Sequence, residues 1–253
     1  MELEKAFICP HCKNPLSPRG FTGICSRCKF TYEKKDGIWH FLYIPDKKSE
    51  FSKNVYDEMH KIPSERIDDG SYEILAAFAR GNKTLDIACG DGFIEKLAPE
   101  TIGVEFSLEG LKKARKKGAK HLVQADAHSL PFKDKAFELA VCAGSLEHFA
   151  NPLKALKEMA RVSTIQILTV HKKLPIPFSN FLRSFILNLK SVKDQPIDFP
   201  ISMKELEKIL TKAKMHIVFK GVWTHPYDFQ MLGFKIPKLL QIPSCHFVIT
   251  TSP

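Results

Sequence analysis

No run of about eighteen apolar residues, the least a helix needs to span a bilayer, occurs in this 253-residue chain. The first ten residues, MELEKAFICP, lack the basic, apolar, small-residue order of a secretory leader. A Gly-Lys-Ser/Thr triplet is missing, which excludes a phosphate-binding loop. A dinucleotide fingerprint begun at Gly90 and Gly92 would need a third glycine at position 95, and that residue is Glu95. The seven cysteines are an odd number. Four fall in two pairs, while Cys89, Cys142 and Cys245 are isolated, a distribution suited to a reducing cytoplasm rather than a disulfide framework. No internal repeat or low-complexity tract is visible.

What is present is ordinary in hydrophobic content (44%) and charged content (26%), and the length suits one large α/β domain with a small appendage. The formal net charge of +10 is less ordinary. It permits contact with nucleic acid or another anionic surface, although a run such as Lys112–Lys117 also reads as a solvated helix face.

Residues 9–12 read CPHC and residues 25–28 read CSRC. Two Cys-x-x-Cys pairs twelve residues apart have the spacing of a structural zinc site with Cys9, Cys12, Cys25 and Cys28 as ligands. Four thiolates close the tetrahedron and leave no position open for catalysis. A redox pair or unpaired thiols are the rival readings, and His11 reads as an exposed neighbour. Lys29–Ile44 alternates like two strands joined at Asp36-Gly37, so residues 1–45 are expected to form a zinc ribbon. Polar residues from Pro45 to Glu50 mark a linker, followed by helices over Phe51–His60 and Ser71–Arg80, giving a connecting unit of 46–80.

The remaining unit, 81–253, is organised by Thr84–Phe93, TLDIACGDGF. An apolar strand runs into Gly90 and Gly92 and then into helical spacing, which is the entrance to a nucleotide-type site. Glycines there let a ligand approach the backbone closely; a purely structural turn is the bland reading. Strands are expected over Thr101–Glu105, Lys120–Gln124, Phe137–Ala143 and Ile165–Val170, with an antiparallel pair over His216–Val222 and His246–Thr251. Ser202 and Glu205 form a capping box ahead of a helix.

The Thr84–Phe93 stretch resembles motif I of the Rossmann-like S-adenosylmethionine-dependent methyltransferases, D/E-x-G-x-G-x-G. Asp86, Gly90 and Gly92 match, and Ala88 stands where the first glycine is usual. Glu105 resembles the acidic residue of motif II, where a carboxylate accepts from the ribose hydroxyls, and Phe106 is where a side chain often stacks on adenine. Asp126-Ala127 resembles motif III, with the aspartate at the adenine amino group. Ala143 ends the fourth strand at the cofactor, and Gly144–Phe149 resembles the LEH segment of the type-11 methyltransferase family. The resemblance implies an α/β fold with a seven-stranded, mostly parallel sheet, and S-adenosylmethionine as cofactor. In such enzymes an aromatic residue of the leading helices often covers the cofactor; Tyr56 is the candidate, a packing tyrosine the alternative.

Within that resemblance His148 is the candidate acid–base residue, weighed against a histidine that simply packs. The Asp/Asn-Pro-Pro-aromatic loop of many N-methyltransferases is missing after the fourth strand, and Val141 beside Cys142 stands where a cytosine-carbon methyltransferase has proline. Three functions are expected to compete. RNA is the slightly favoured acceptor, because a zinc ribbon ahead of this fold resembles the rRNA guanine methyltransferases and the charge suits phosphate. A quinone-like, aromatic or lipid acceptor is the alternative, supported by the LEH segment and an apolar stretch over 171–200 that reads as a lid. A scaffold that holds cofactor without turnover, docking protein or RNA through the ribbon, is the third. The expected location is cytoplasmic.

Overall fold

The computed structural model describes residues 3–16, 20–44, 47–61, 70–171, 201–224, 230–231, 234–235 and 243–253. Of the lid expected over 171–200, His171 ends a strand and 172–200 lies outside the described residues. Chain order opens with β1 (Thr22–Ile24), β2 (Thr31–Lys35) and β3 (Ile38–His40). β2 and β3 are antiparallel and turn through Asp36 (φ 51°) and Gly37 (φ 76°). Two successive left-handed residues give the twist that a two-residue hairpin requires.

Helix α1 (Lys47–Lys61) starts inside the polar stretch read as a linker, and α2 (Ser71–Ala79) follows. The glycine-bearing core then alternates. It runs β4 (Thr84–Ile87), α3 (Phe93–Leu97), β5 (Ile102–Glu105), α4 (Leu108–Lys116), β6 (His121–Gln124) and β7 (Phe137–Ala143). Helix α5 (Pro152–Val162), strand β8 (Ser163–His171), helix α6 (Met203–Lys212) and β9 (His216–Thr224) continue it. A short hairpin of β10 (Gln230–Met231) and β11 (Phe234–Lys235) precedes the last strand, β12 (Pro243–Thr251).

One sheet runs β1-β2-β3-β6-β5-β4-β7-β8-β12-β9. Its seven core strands, β6 to β9, lie in the chain order 3-2-1-4-5-7-6. β3 through β8 are parallel, whereas β12 is antiparallel to both of its neighbours. All four residues of β4 are buried, the pattern of a parallel strand covered on both faces. Alternate residues of β7 serve opposite sides: Ala140 and Cys142 join the core under α5 and α6, Leu139 and Val141 the core under α2 and α3. Helix ends are set locally. Asn151 caps α5 ahead of Pro152, and Ser202 with Glu205 makes the expected capping box on α6.

The cysteine-bearing segment continues this sheet. β3 pairs in parallel with β6, Trp39 opposite Val123. Phe7, Tyr32, Trp39 and Phe41 pack with Phe132 and Phe137 in the same core as Leu85 and Ile87. Each such aromatic, fully buried, contributes roughly 1.5–3 kcal/mol. The ribbon therefore shares the core of the larger unit. No helix of the described residues is long and apolar enough to cross a membrane.

Candidate functional site

A parallel sheet delivers the carboxyl ends of adjacent strands to one edge, and the crevice there, where strand order reverses between β4 and β7, is where ligands bind in such folds. Asp86, Ala88, Gly90, Gly92, Glu105, Phe106, Asp126, Ala127 and Ala143 all lie within or just beyond the ends of β4, β5, β6 and β7. Glu105 stands opposite Gln124, two residues before Asp126.

The loop after β4 is left-handed at Ala88 (φ 61°), Gly90 (φ 53°) and Gly92 (φ 75°). Ala88, where the family has glycine, thus carries backbone strain of about 1–2 kcal/mol. The two glycines differ in purpose. A Cβ at Gly92 would lie 2.6 Å from Ala114 Cβ, so helix packing rather than ligand approach requires this glycine. A Cβ at Gly90 would meet the His60 ring at 3.4 Å.

Glu105 is buried and accepts three backbone N–H bonds, from Gly90 (3.1 Å), Phe106 (2.7 Å) and Ser107 (2.8 Å). A carboxylate has about four acceptor sites, so one is left. Accepting from both ribose hydroxyls requires the Gly90 bond to open. Asp126 accepts from the His128 N–H (2.9 Å) and from His128 Nδ1 (2.6 Å). His128 Nε2 in turn accepts from the Asn151 N–H, which fixes the imidazole tautomer. Burial pushes the Asp126 carboxyl up, but the hydrogen bonds from His128 outweigh it and hold it below the usual range. Nothing in the sequence marked His128 beyond its place two residues after an acid.

Asp86 and Glu95 are buried together beneath this loop. Burial and the Glu95 charge push Asp86 well above the ordinary carboxylate range, and burial raises Glu95 to about 7. Desolvation of two neighbouring carboxyls favours the protonated form of Asp86.

Helix α1 closes over these strand ends. Asp57 accepts from Ser107 Oγ (2.6 Å) and the Glu109 N–H (3.3 Å), and His60 Nδ1 contacts Asp91 at 2.8 Å. Tyr56 donates to the His148 carbonyl at 3.4 Å. Burial, then the Glu105 charge, pushes its phenol up to about 12. Tyr56 thus stands between Glu105 and the LEH segment. Leu146–His148 is a 3-10 turn in which Glu147 is fully buried. His148 Nε2 lies 4.0 Å from Glu147 Oε1, and the closer contact of that carboxylate is His171, a residue the sequence reading did not single out. Cys142 is buried and its thiol is pushed well up by burial, which suits a packing residue.

At the far edge, the Cys9 and Cys28 sulfurs are 3.5 Å apart and those of Cys12 and Cys25 3.6 Å. All four lie within 4.8 Å of one another. Zinc–sulfur bonds of about 2.3 Å place the corners of a tetrahedron about 3.8 Å apart, so the cluster fits one such ion. The two knuckles repeat one geometry. Lys13 and Lys29 are left-handed and donate to the carbonyls of Cys9 and Cys25, while Cys9 and Cys25 donate to those of Asn14 and Phe30.

Seven strands in this order, a left-handed glycine loop after the first and acids at the tips of the next two define a Rossmann-like methyltransferase. The comparisons agree. Residues 85–164 match the methyltransferase domain family model. An uncharacterised protein of Methanocaldococcus jannaschii is 34% identical over 181 residues, 69% of this chain and 67% of that one. The rice chloroplast 2-methyl-6-phytyl-1,4-hydroquinone methyltransferase 2 is 28% identical over 148 residues, 54% of this chain but only 40% of its own length. Magnesium protoporphyrin IX methyltransferase of Synechocystis, solved with bound S-adenosylhomocysteine, superposes with a TM-score of 0.56 at 12% identity. That match covers 82% of this chain and all of the other. The chain belongs to the methyltransferase-domain family, the S-adenosylmethionine-dependent class. The RNA acceptor slightly favoured from charge and the ribbon has no support among these relatives.

Proposed function

We propose that this protein transfers the methyl group of S-adenosylmethionine to a small hydroxyl-bearing aromatic acceptor of the quinol type, and that its cysteine cluster holds a structural zinc ion. The observation that carries the cofactor half is Glu105, oriented by three backbone N–H groups at the tip of the strand beside the left-handed loop. In this reading Glu105 takes a ribose hydroxyl, Asp126 and the Ala127 N–H face the adenine edge, and Phe106 stacks on the ring. Ala88, Gly90 and Ala143 border the methionine portion, and Tyr56 covers the whole from α1.

The cofactor supplies an activated methyl carbon, so the chain has to align an acceptor lone pair with it and exclude water. The acceptor class is supported by the hydroquinone methyltransferase among the relatives, together with the LEH segment at the end of β7. RNA is the second reading and rests on the net charge of +10; docking of protein or RNA through the ribbon belongs with it. The test uses zinc-loaded protein. Calorimetry with S-adenosylhomocysteine should give a one-to-one isotherm. Labelled methyl should then enter 1,4-naphthohydroquinone or 2-methylhydroquinone and not total RNA. Label entering RNA alone would reverse the acceptor assignment, and a bound cofactor that labels neither would favour the scaffold.

A further inference from the structure

We infer that His171 is the base that removes the acceptor's proton, and that buried Glu147 is the residue that orients it. This rests on the hydroxyl-bearing acceptor proposed above. The two residues come from different strands. β7 and β8 run parallel with Ala143 opposite Thr169, so His171 stands two residues above the level at which β7 ends. Gly144, left-handed at φ 56°, turns the chain beneath it. A Cβ there would meet His171 Cε1 at 3.4 Å, so the ring lies directly over the start of the LEH segment.

Glu147 reaches up from that segment. Its Oε1 accepts the His171 backbone N–H at 3.0 Å and contacts His171 Nδ1, while its Oε2 is fully buried with no partner among the described residues. Among the described residues, the charged and titratable groups facing the ring include Glu147 and His148 on the LEH turn, with Cys245 opposite on β12. The His171 side chain is 55% exposed, against 12% for His148 and none for Glu147, so of the three it is the one an acceptor can reach. With Nδ1–H directed at a carboxylate, the neutral ring carries its basic lone pair on Nε2. Tyr56 ties this turn to the cofactor side through the His148 carbonyl.

The step balances. The acceptor O–H proton passes to His171 Nε2 and the oxygen's electron pair forms the new bond to the methyl carbon. The carbon–sulfur bond breaks with its pair left on sulfur, giving S-adenosylhomocysteine. When a ring carbon is the nucleophile, its hydrogen moves to the oxygen as aromaticity returns, and the same single proton remains on His171. Glu147 stays ionised throughout and is a positioning residue.

The experiment compares zinc-loaded wild type, H171Q, E147Q and H148Q, with 1,4-naphthohydroquinone as acceptor. H171Q should bind S-adenosylhomocysteine within about twofold of wild type but lose roughly 10²–10⁴ in kcat. Its KM should be little changed, and the acid limb of the pH profile should disappear. E147Q should move that limb to lower pH, because removing the anion makes the imidazolium easier to deprotonate; a residue that only held the fold would not. Nitrogen-15 imidazole spectra of the S-adenosylhomocysteine complex should show His171 protonated at Nδ1. An Nε2–H tautomer overturns the inference whether or not the acceptor turns over, and keeps it decidable if naphthohydroquinone proves a poor acceptor. An acid limb that survives in H171Q but vanishes in H148Q overturns it as well. So does activity that requires added manganese and is abolished by its removal. A wild type that binds no S-adenosylhomocysteine would instead sink the cofactor reading, a separate outcome.

Discussion

The two halves of the site are built differently. On the half proposed to bind the cofactor, β4, β5 and β6 present a carboxylate held by backbone N–H groups, a second held by His128, and a loop whose shape depends on φ angles. On the half proposed to take the acceptor, the ends of β7 and β8 are joined chiefly through side chains, Glu147 meeting both the ring and the backbone N–H of His171. Backbone N–H groups at the strand ends orient Glu105, so its placement follows largely from the sheet itself. The acceptor half depends on two residues 24 apart in the chain meeting over Gly144. Such a half can change its chemistry without disturbing the fold.

Removing the zinc proposed for the cysteine cluster should break the comparison most severely, because the cysteine-bearing segment packs against the loop after β6 and shares a core with Phe137 of β7. Ser129 Oγ donates to the Pro10 carbonyl at 2.6 Å, the Ile8 N–H to the Pro131 carbonyl at 3.0 Å, and Lys13 pairs with Glu158 at 3.0 Å. These contacts brace the loop that carries Asp126. Structural zinc contributes on the order of 10 kcal/mol to folding of its site. Chelation is therefore expected to red-shift Trp39 fluorescence, lower the melting temperature by more than about 10 °C, by the usual relation of stability to midpoint, and weaken S-adenosylhomocysteine binding. Unchanged cofactor affinity after chelation would show the halves to be independent of the ribbon.

Gly92→Val comes next. The left-handed backbone costs about 1–2 kcal/mol for any L side chain, and the clash with Ala114 adds roughly 1–3 kcal/mol. Denaturant unfolding should register the sum, and calorimetry should find no cofactor binding. Glu105→Gln is smaller and more selective. It replaces three charge-assisted bonds by an amide that presents donors to donors, each such bond being worth about 1.5–3 kcal/mol. S-adenosylhomocysteine affinity should fall about ten- to a hundredfold while the acceptor KM stays put; a shift in acceptor KM would mean that the halves are coupled through Tyr56.

The smallest effect is on pH. Burial alone would lower His60, but the Asp91 hydrogen bond and neighbouring charges leave it above its ordinary 6.5. A raised histidine stabilises the fold fully below its unfolded pKa and loses that contribution as pH rises through the folded value. The gap in melting temperature between wild type and H60Q should therefore shrink from pH 6 upward, and the contribution is ~1 kcal/mol or less, as for other partly exposed pairs. A gap that widens with pH would mean that α1 is not held by this contact.

Much of this was legible in the chain. Strand-forming runs ending at Ala88, Glu105 and Gln124, each followed by a turn residue or an acid, marked the strand ends that the sheet brings side by side, because strand ends and glycine turns are local features. The cysteine spacing pointed, for the same reason, to the four sulfurs that the fold brings within 4.8 Å of one another. Its role as an extension of the sheet was not legible: the pairing of β3 with β6 joins residues some eighty positions apart, and a short Ile-Trp-His strand does not advertise its partner. His128 and His171 were missed alike. Each is an ordinary polar residue until a fold brings Asp126 or Glu147 to its ring.

By itself, then, the sequence determined the class: apolar runs, glycines and acids at set intervals encode strands, turns and caps through local sterics and hydrogen bonding. Only the tertiary structure decided which side chains meet. It set Gly92 against Ala114, the ribbon against β6, and His171 over a buried carboxylate. Contacts between distant segments are chosen by the burial of whole faces, and no local pattern records them.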